Sequence, residues 1–323
     1  MKALVTGSSG FIGAAACRAL LEHGYAVRAF HRATSSLRLL EPLAVEHALG
    51  DLTQPETLVE AMSGVDAVLH CAAWVGFNDP GRLYSVNVEG TRSVVQAALR
   101  AGVRRLVYTS SVTALGIPPA GAHSPLDEQH TWNHPPEFFP YGYSKYLSEL
   151  EVQKGVLLGL DAVIANPTLV LGAGDIYRQS SSIVRQFANR RVPVAVQGGI
   201  NLVHVSDVAQ GLVAALERGS RGERYILGGT NLTYVQLSQV LSRVTGVPAP
   251  SVVLPGGLLR ASQGLARLLE RFFELPVSTD VFLLAGRYLY YDLRKAHSQL
   301  GLPAPLSPDQ AVGDAYAWFL EKG

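Results

Sequence analysis

Tyr141-Gly142-Tyr143-Ser144-Lys145 sets a phenol and an amine four residues apart. On a helix, positions i and i+4 lie on one face. An ammonium close to a phenol favours the phenolate and draws its pKa below the usual value of about 10. Such a tyrosine passes a proton to or from a substrate oxygen near neutral pH. Tyr143 has the wrong spacing to Lys145 for that role. An ordinary surface Tyr–Lys pair has the same spacing, so the motif needs support from elsewhere. Upstream, the apolar run before Thr109-Ser110-Ser111-Val112-Thr113 reads as a strand that ends in hydroxyls. In α/β proteins the carboxyl ends of parallel strands face the ligand crevice. Ser111 is placed to hydrogen-bond the same carbonyl that Tyr141 protonates. Ser110 is expected only to cap backbone groups.

A second chemical signal stands at the start of the chain. Thr6-Gly7-Ser8-Ser9-Gly10-Phe11-Ile12-Gly13 lies between a predicted strand and a predicted helix. Glycines there allow a tight turn and close approach of a pyrophosphate, which the helix N-terminus then meets with free N–H groups. The spacing is G-x-x-G-x-x-G and departs from the commoner G-x-G-x-x-G fingerprint. The next strand ends in His31-Arg32 where an NAD-binding fold would place an acid for the ribose hydroxyls. A guanidinium there suits a 2′-phosphate, so the expected cofactor is NADP(H), with NAD(H) as the alternative. Arg38 is a weaker second contact. Asp51-Leu52 either holds the adenine edge or caps a helix near Thr53.

These groups need a scaffold, and the patterning supplies one. Short apolar runs at 2–6, 26–30, 45–49, 67–70, 105–110 and 161–166 alternate with helical patterns at 12–23, 55–62, 88–101 and 141–157. Strand–helix–strand repetition predicts a doubly wound parallel sheet covered on both faces. Beyond Pro167 the predicted elements are a helix over 182–189, an extended run over 192–196, a strand over 203–205, a helix over 207–217 and a strand over 225–227. Thr233 and Gln236 have capping-box spacing for a helix to about residue 245, and Ser307, Pro308 and Gln310 start the last helix in the same way. The expected organisation is a Rossmann-type α/β unit of 1–167 plus about 201–229. A smaller mixed substrate domain takes about 168–200 plus 230–323.

Composition narrows the partners. With 48% hydrophobic and 16% charged residues the 323-residue chain can bury a core, and a net charge of +1 gives no electrostatic case for nucleic acid. Two cysteines, Cys17 and Cys71, cannot build a disulfide framework, which fits a reduced, cytoplasmic protein. No signal peptide or transmembrane run is visible. The pattern at 258–273 is amphipathic. It reads as a helix packed on the core, with a membrane-surface role as the competing reading.

Taken in order, the glycine motif, Asp51-Leu52, His70-Cys71-Ala72-Ala73, Asn87-Val88-Glu89-Gly90-Thr91, Thr109-Ser110-Ser111, Tyr141-x-x-x-Lys145 and Asn166-Pro167 carry a resemblance. It continues through Val203-His204-Val205-Ser206-Asp207-Val208 and Tyr225-Ile226-Leu227-Gly228-Gly229, nearly the whole chain. The sequence resembles the extended short-chain dehydrogenase/reductases, also called the NAD-dependent epimerase/dehydratase family. Within it, the dihydroflavonol-4-reductase-like branch is most similar. The resemblance implies that Ser111 polarises the substrate oxygen, Tyr141 is the acid/base, and Lys145 lowers the tyrosine pKa and binds the nicotinamide ribose. It implies cofactor contacts at Gly7, Ser9, Gly10, Phe11, Ile12, Gly13, His31, Arg32, Arg38, Asp51, Leu52, Cys71, Ala72, Ala73, Asn87, Thr109, Tyr141, Lys145, Asn166, Pro167 and Thr168. Cys71 is expected to be wall rather than nucleophile. The resemblance also implies a homodimer through the helices at 88–101 and 141–157.

Departures from the family pattern narrow the reaction. Sugar dehydratases of the family carry Asp and Glu directly after the catalytic hydroxyl, where this chain has Val112 and Thr113. An arginine often found before the His-Val-Asp-Asp segment is replaced by Asn201-Leu202-Val203. Arg185, Arg190, Arg191 and Arg287 are the other cations that could meet a diphosphate. The favoured reading is reduction of a ketone or aldehyde. A sugar 4-epimerase holding NAD tightly is the alternative, and a cofactor-sensing protein without chemistry the third. The proline-rich loop 117–140 is expected to roof a pocket lined by Trp74, Thr113, Trp132, Phe138 and Phe139. No metal is expected from its His123, His130 and His134, which lack a helical scaffold.

Overall fold

The computed structural model describes residues 1–76, 79–176, 182–259 and 284–322. Its main sheet contains β1 (Lys2–Thr6), β2 (Ala26–His31), β3 (Glu46–Leu49), β4 (Ala67–His70), β5 (Arg105–Thr109), β6 (Ala162–Pro167) and, after three further strands, β10 (Arg224–Leu227). All pairs are parallel, in the order β10-β6-β5-β4-β1-β2-β3. Strand order therefore reverses between β1 and β4, the place where doubly wound sheets bind ligands.

The sheet is two-faced because successive side chains alternate. Ala3, Val5, Ala67, Leu69, Val107 and Val163 pack against α1 (Phe11–Glu22) and α7 (Val205–Arg218). Leu4, Val68, Leu106, Tyr108 and Ile164 pack on the other side, against α2 (Pro55–Ala61), α4 (Gly90–Ala101) and Val152 of α5 (Pro140–Leu157). Both faces being covered explains why the central strands read as nearly continuous apolar runs.

A smaller sheet is built on β9 (Gly199–His204), flanked by β11 (Thr230–Thr233), β13 (Tyr288–Leu289) and β7 (Leu169–Leu171). Its core joins Leu171, Leu202 and Leu232 to α6 (Ser182–Ala188), α8 (Tyr234–Thr245) and the last helix, α10 (Pro308–Lys322). A two-stranded pair, β8 (Ala195–Val196) with β12 (Val253–Leu254), completes it. By contrast α9 (Arg294–Leu300) sends Ala296 and Leu300 into the core shared by α1 and α7. The capping box of α8 is formed in both directions between Thr233 and Gln236.

One helical stretch departs from the sequence reading. The helix expected from residue 88 is preceded by α3 (Pro80–Leu83) and a π-helical turn, Tyr84–Glu89. Asp79 accepts from the Arg82 N–H and Pro80 takes the first helical position, so the segment starts helically much earlier. Most of the expected amphipathic helix at 258–273 lies outside the described residues. Among the described residues, no helix is long and apolar enough to cross a membrane.

Candidate active site

The loop after β1 is shaped by what its glycines leave out. Gly7 has φ +66° and a Cβ there would lie 2.6 Å from Cα of Ala72. A Cβ on Gly13 would lie 2.1 Å from the Gly7 carbonyl oxygen, and one on Gly10 3.2 Å from the same atom. The three-residue spacing thus lets the loop, the start of α1 and the end of β4 close on one another. Gly10 caps α1 without a side chain, so the first-turn N–H groups of α1 point out of the helix with no acceptor of their own. A cradle made of backbone alone, at a helix N-terminus, fits a pyrophosphate. Ser8 donates to the Phe30 carbonyl, and Phe11 and Ile12 pack on the core. Ser9 is buried in the loop.

At the end of β2 the two expected contacts differ in state. His31 is buried, its Nε2 3.0 Å from Nδ1 of His47 and its Nδ1 3.1 Å from the Arg32 carbonyl. The carbonyl can only accept, so His31 Nδ1 carries the proton there. Arg32 is exposed, and its guanidinium makes no hydrogen bond or ion pair with the described residues. Arg38 lies 5.4 Å over the Trp318 ring. Asp51 turns back on Thr53, accepting from its N–H and hydroxyl at 2.9 and 2.8 Å. Of the two readings of Asp51, the local turn is the one its hydrogen bonds make. Leu52 is buried beside Gly90.

The end of β4 is held by side chains. His70 is fully buried between the hydroxyls of Thr6 at 2.7 Å and Thr91 at 3.1 Å. Burial, with the nearby Lys145 charge, pushes its pKa down to about 3, so the ring is neutral. Cys71 Sγ lies 3.3 Å from the Thr109 hydroxyl, and burial pushes the thiol up to about 11. A thiol that resists ionisation makes a poor nucleophile. Asn87 accepts from the Trp74 N–H at 2.7 Å and donates to the Trp74 carbonyl and to Ser144 Oγ, both at 3.0 Å. It clamps the segment after Ala72 and Ala73 to α5. The Trp74 ring stacks under the Arg82 guanidinium at 3.6 Å.

The groups expected to react meet where β5 ends against α5. Ser111 Oγ accepts from the Thr113 N–H at 3.2 Å and the Thr113 hydroxyl at 2.9 Å. Burial pushes the Tyr141 phenol up to about 12, and its hydrogen bond with the Ser111 hydroxyl opposes that rise. Lys145 is buried, donates to the Thr109 carbonyl at 2.8 Å and lies 4.5 Å over the Tyr108 ring. Burial brings its pKa down to about 7, against the pull of Glu149 and Cys71. The expectation that Lys145 lowers the tyrosine pKa is therefore not met in this arrangement. Its ammonium is taken by the Thr109 carbonyl and the Tyr108 face, and the phenol stays protonated at neutral pH.

A buried network the sequence reading missed lies directly behind. The Ser110 hydroxyl donates to Glu149 Oε1 at 2.5 Å, where a simple backbone cap was expected. Asn166 Nδ2 donates to the same oxygen at 2.7 Å and to the Ser111 carbonyl at 3.0 Å. Arg224 lies 2.6 Å from Glu149 Oε2. Pro167 ends β6, and Thr168 N–H donates to the Leu227 carbonyl. The Tyr-x-x-x-Lys spacing extends to a glutamate four residues on, a signal available in the sequence. Arg224 comes from a distant strand and left no local trace.

The 117–140 loop is tied down rather than free. Leu126 bridges Tyr291, the Glu128 carboxylate accepts from the Ile226 N–H at 3.0 Å, and Arg287 donates to the Pro118 carbonyl. Phe139 stands edge-on to Tyr141 at 6.3 Å. Trp132 packs beside Gly142 and Tyr143 and donates to the His134 carbonyl. Phe138 instead stacks on His134, under Arg287. His123, His130 and His134 go to Tyr288, Asp127 and Phe138 separately, and no metal-holding group occurs among the described residues.

The profile of the NAD dependent epimerase/dehydratase family matches residues 3–228. The chain belongs to this family. It is 39% identical to sterol demethylase protein B of Methylococcus capsulatus, over 100% of this chain and 99% of that protein. It is 38% identical to a putative dihydroflavonol 4-reductase of Synechocystis, over 99% and 94%. Among solved structures, a nucleoside-diphosphate-sugar epimerase from Pseudomonas aeruginosa superposes with a TM-score of 0.84 at 27% identity, covering 100% and 98% of the two chains. As a member of the epimerase/dehydratase family, the protein is an NAD(P)-dependent enzyme of the short-chain dehydrogenase/reductase type on a Rossmann-like α/β fold.

Proposed function

We propose that this enzyme reduces a ketone or aldehyde with NADP(H), using Ser111, Tyr141 and Lys145. The observation that carries the reading is the meeting of Tyr141 and Ser111 beyond the end of β5, with Lys145 of the same helix anchored on the Thr109 carbonyl at 2.8 Å. Reduction needs a proton donor at the substrate oxygen, and burial leaves the Tyr141 phenol its proton at neutral pH. Ser111 donates a second hydrogen bond to that oxygen. NADP(H), when bound, supplies the hydride. Gly7, Gly10 and Gly13 with the α1 N-terminus would hold its pyrophosphate, and Arg32 the 2′-phosphate. Lys145, anchored on Thr109, would meet the nicotinamide ribose.

Two features argue against the other family reactions. Val112 is buried and Thr113 is spent on Ser111, so no carboxylate stands where a dehydratase base belongs. Asn201 is fully buried and bonded to Gly229 and Asn231, so that position offers no cation to a diphosphate. The same reading takes the protein as a cytoplasmic homodimer through α4 and α5, supported by exposed Leu150 and Leu157 on α5. The test is NADPH consumption against a panel of ketones, aldehydes and UDP-sugars. Turnover of a carbonyl that Tyr141→Phe abolishes supports reduction. Interconversion of sugar epimers with no net cofactor consumption replaces it with the epimerase.

A further inference from the structure

Glu149 is a fully buried carboxylate one helical turn beyond Lys145, and its contacts reach the turn after β5 and the strands β6 and β10. Ser110 and Asn166 share Oε1, and Arg224 from the edge strand β10 meets Oε2. Asn166 also holds the Ser111 carbonyl, and Lys145 holds the Thr109 carbonyl. Three consecutive residues, Thr109, Ser110 and Ser111, are therefore gripped from α5 and β6, and Glu149 is the common anchor of two of those grips. A buried carboxylate is retained only when paired and hydrogen-bonded, and here it is both. The need to place one hydroxyl would be met by a neutral side chain. A charge is what an uncharged partner could not supply.

We propose that Glu149 is a positioning residue of the site: its carboxylate fixes the turn carrying Ser111 and sets a permanent negative charge behind the Lys145 amine. This rests on the reading of Ser111, Tyr141 and Lys145 as the reacting groups. The other groups around Lys145 are His70 at the end of β4, Cys71 just after it and Tyr108 from β5, with Tyr141 one turn earlier on α5 and Arg224 facing Glu149 from β10. The histidine is neutral, and the thiol and both phenols are protonated at neutral pH, so Glu149 is the anion of this set. Without it, burial alone would strip the proton from Lys145, and the ammonium expected to meet the cofactor ribose would be lost. Arg224 offsets part of the carboxylate's field from the far side.

The test reads the lysine directly. The chain has five lysines, Lys2, Lys145, Lys154, Lys295 and Lys322, so an NMR titration of the full-length protein labelled at lysine Cε resolves them. Lys145→Met assigns the resonance. Glu149→Gln keeps the shape and removes the charge. The Lys145 midpoint is expected to fall by about one pH unit or more, roughly a tenfold loss of ammonium above the midpoint. Ser110→Ala removes one hydrogen bond and keeps the charge, and should leave the midpoint at its wild-type position. An unmoved midpoint in Glu149→Gln, or an equal shift in Ser110→Ala, overturns the proposal. Should Glu149→Gln not fold, Arg224→Gln must move the same midpoint upward, and no rise overturns it equally. A protein that reduces no carbonyl would sink the functional reading without touching this titration.

Discussion

The two ends of the proposed cofactor crevice are built from opposite materials. Around Gly7 and Gly13 the chain withholds side chains, and the surface offered is backbone at the start of α1. Around Lys145 and Glu149 it crowds ionisable side chains into a buried space and pairs nearly all of them. The difference follows from the chemistry each end is asked to do. A phosphate brings its own charge and needs only N–H groups brought close. A proton donor must have its own protonation state set, which takes burial and fixed charged neighbours. The phosphate end should therefore respond to steric changes and the β5–α5 end to changes of charge or proton.

Tyr141→Phe sharpens the comparison most. It removes the proton donor and leaves the glycine cradle alone. Turnover should drop by about 10²–10⁴-fold with NADPH affinity unchanged, measured by steady-state kinetics beside a binding titration. A parallel loss of binding would mean that the two ends are not separable.

Gly13→Ala is the converse change. Its Cβ would sit 2.1 Å from the Gly7 carbonyl oxygen, so backbone must shift. Overpacking of this kind costs about 1–3 kcal/mol. NADPH affinity should fall at least about tenfold, while the Lys145 and Tyr141 environments keep their spectra. Retained affinity would remove the argument for the cradle.

His70 joins the two regions, reaching Thr6 beside the glycine loop and Thr91 at the start of α4. Its folded pKa, about 3, lies below the unfolded value of 6.5. The unfolded chain binds the extra proton between those values, so this contribution to stability is complete above pH 6.5 and declines as pH falls. The loss should reach about 2 kcal/mol at pH 5. Lys145, whose folded value is about 7, is largely protonated in both states below about pH 6 and adds little to the slope there. Denaturant unfolding of wild type and His70→Asn checks this: the difference between them should narrow with acid, and a constant difference would contradict a buried neutral ring.

The smallest expected effect is at the rim. Arg32→Ala should weaken NADPH by about tenfold and leave NADH unchanged, the worth of one charge-assisted contact at an exposed site. Equal weakening of both cofactors would place Arg32 away from the 2′-phosphate.

The sequence made one of these regions far more readable than the other. The glycine loop is local: its spacing, strand and helix all lie in the single segment Lys2–Glu22, and the structure keeps all three. The main strands were readable because burial on both faces leaves long apolar runs. The β5–α5 site was readable only in part. Tyr141 and Lys145 are visible as a spacing and Ser111 as a hydroxyl at a strand end, but a partner of the buried Glu149, Arg224, lies 75 residues beyond it in a different strand. Ser110 was misjudged because nothing near it in sequence shows a buried carboxylate waiting across the sheet. The strand at 199–204 was seen only in its last residues, since buried Asn201 interrupts the apolar pattern. Helix α7 starts two residues earlier than expected, capped by the His204 ring, which accepts from the Ser206 N–H. Histidine is not among the usual N-cap residues. The helical segment from Pro80 was legible in principle, because Asp79-Pro80 is a cap followed by a first-turn proline.

The most direct test of the account is a paired titration of NADPH and NADH into the purified enzyme, read as two dissociation constants. The account predicts NADPH tighter by about tenfold or more, with the gap closed in Arg32→Ala. NADH binding as tightly as NADPH, or NAD that co-purifies and will not exchange, would contradict it and move the sugar epimerase to first place.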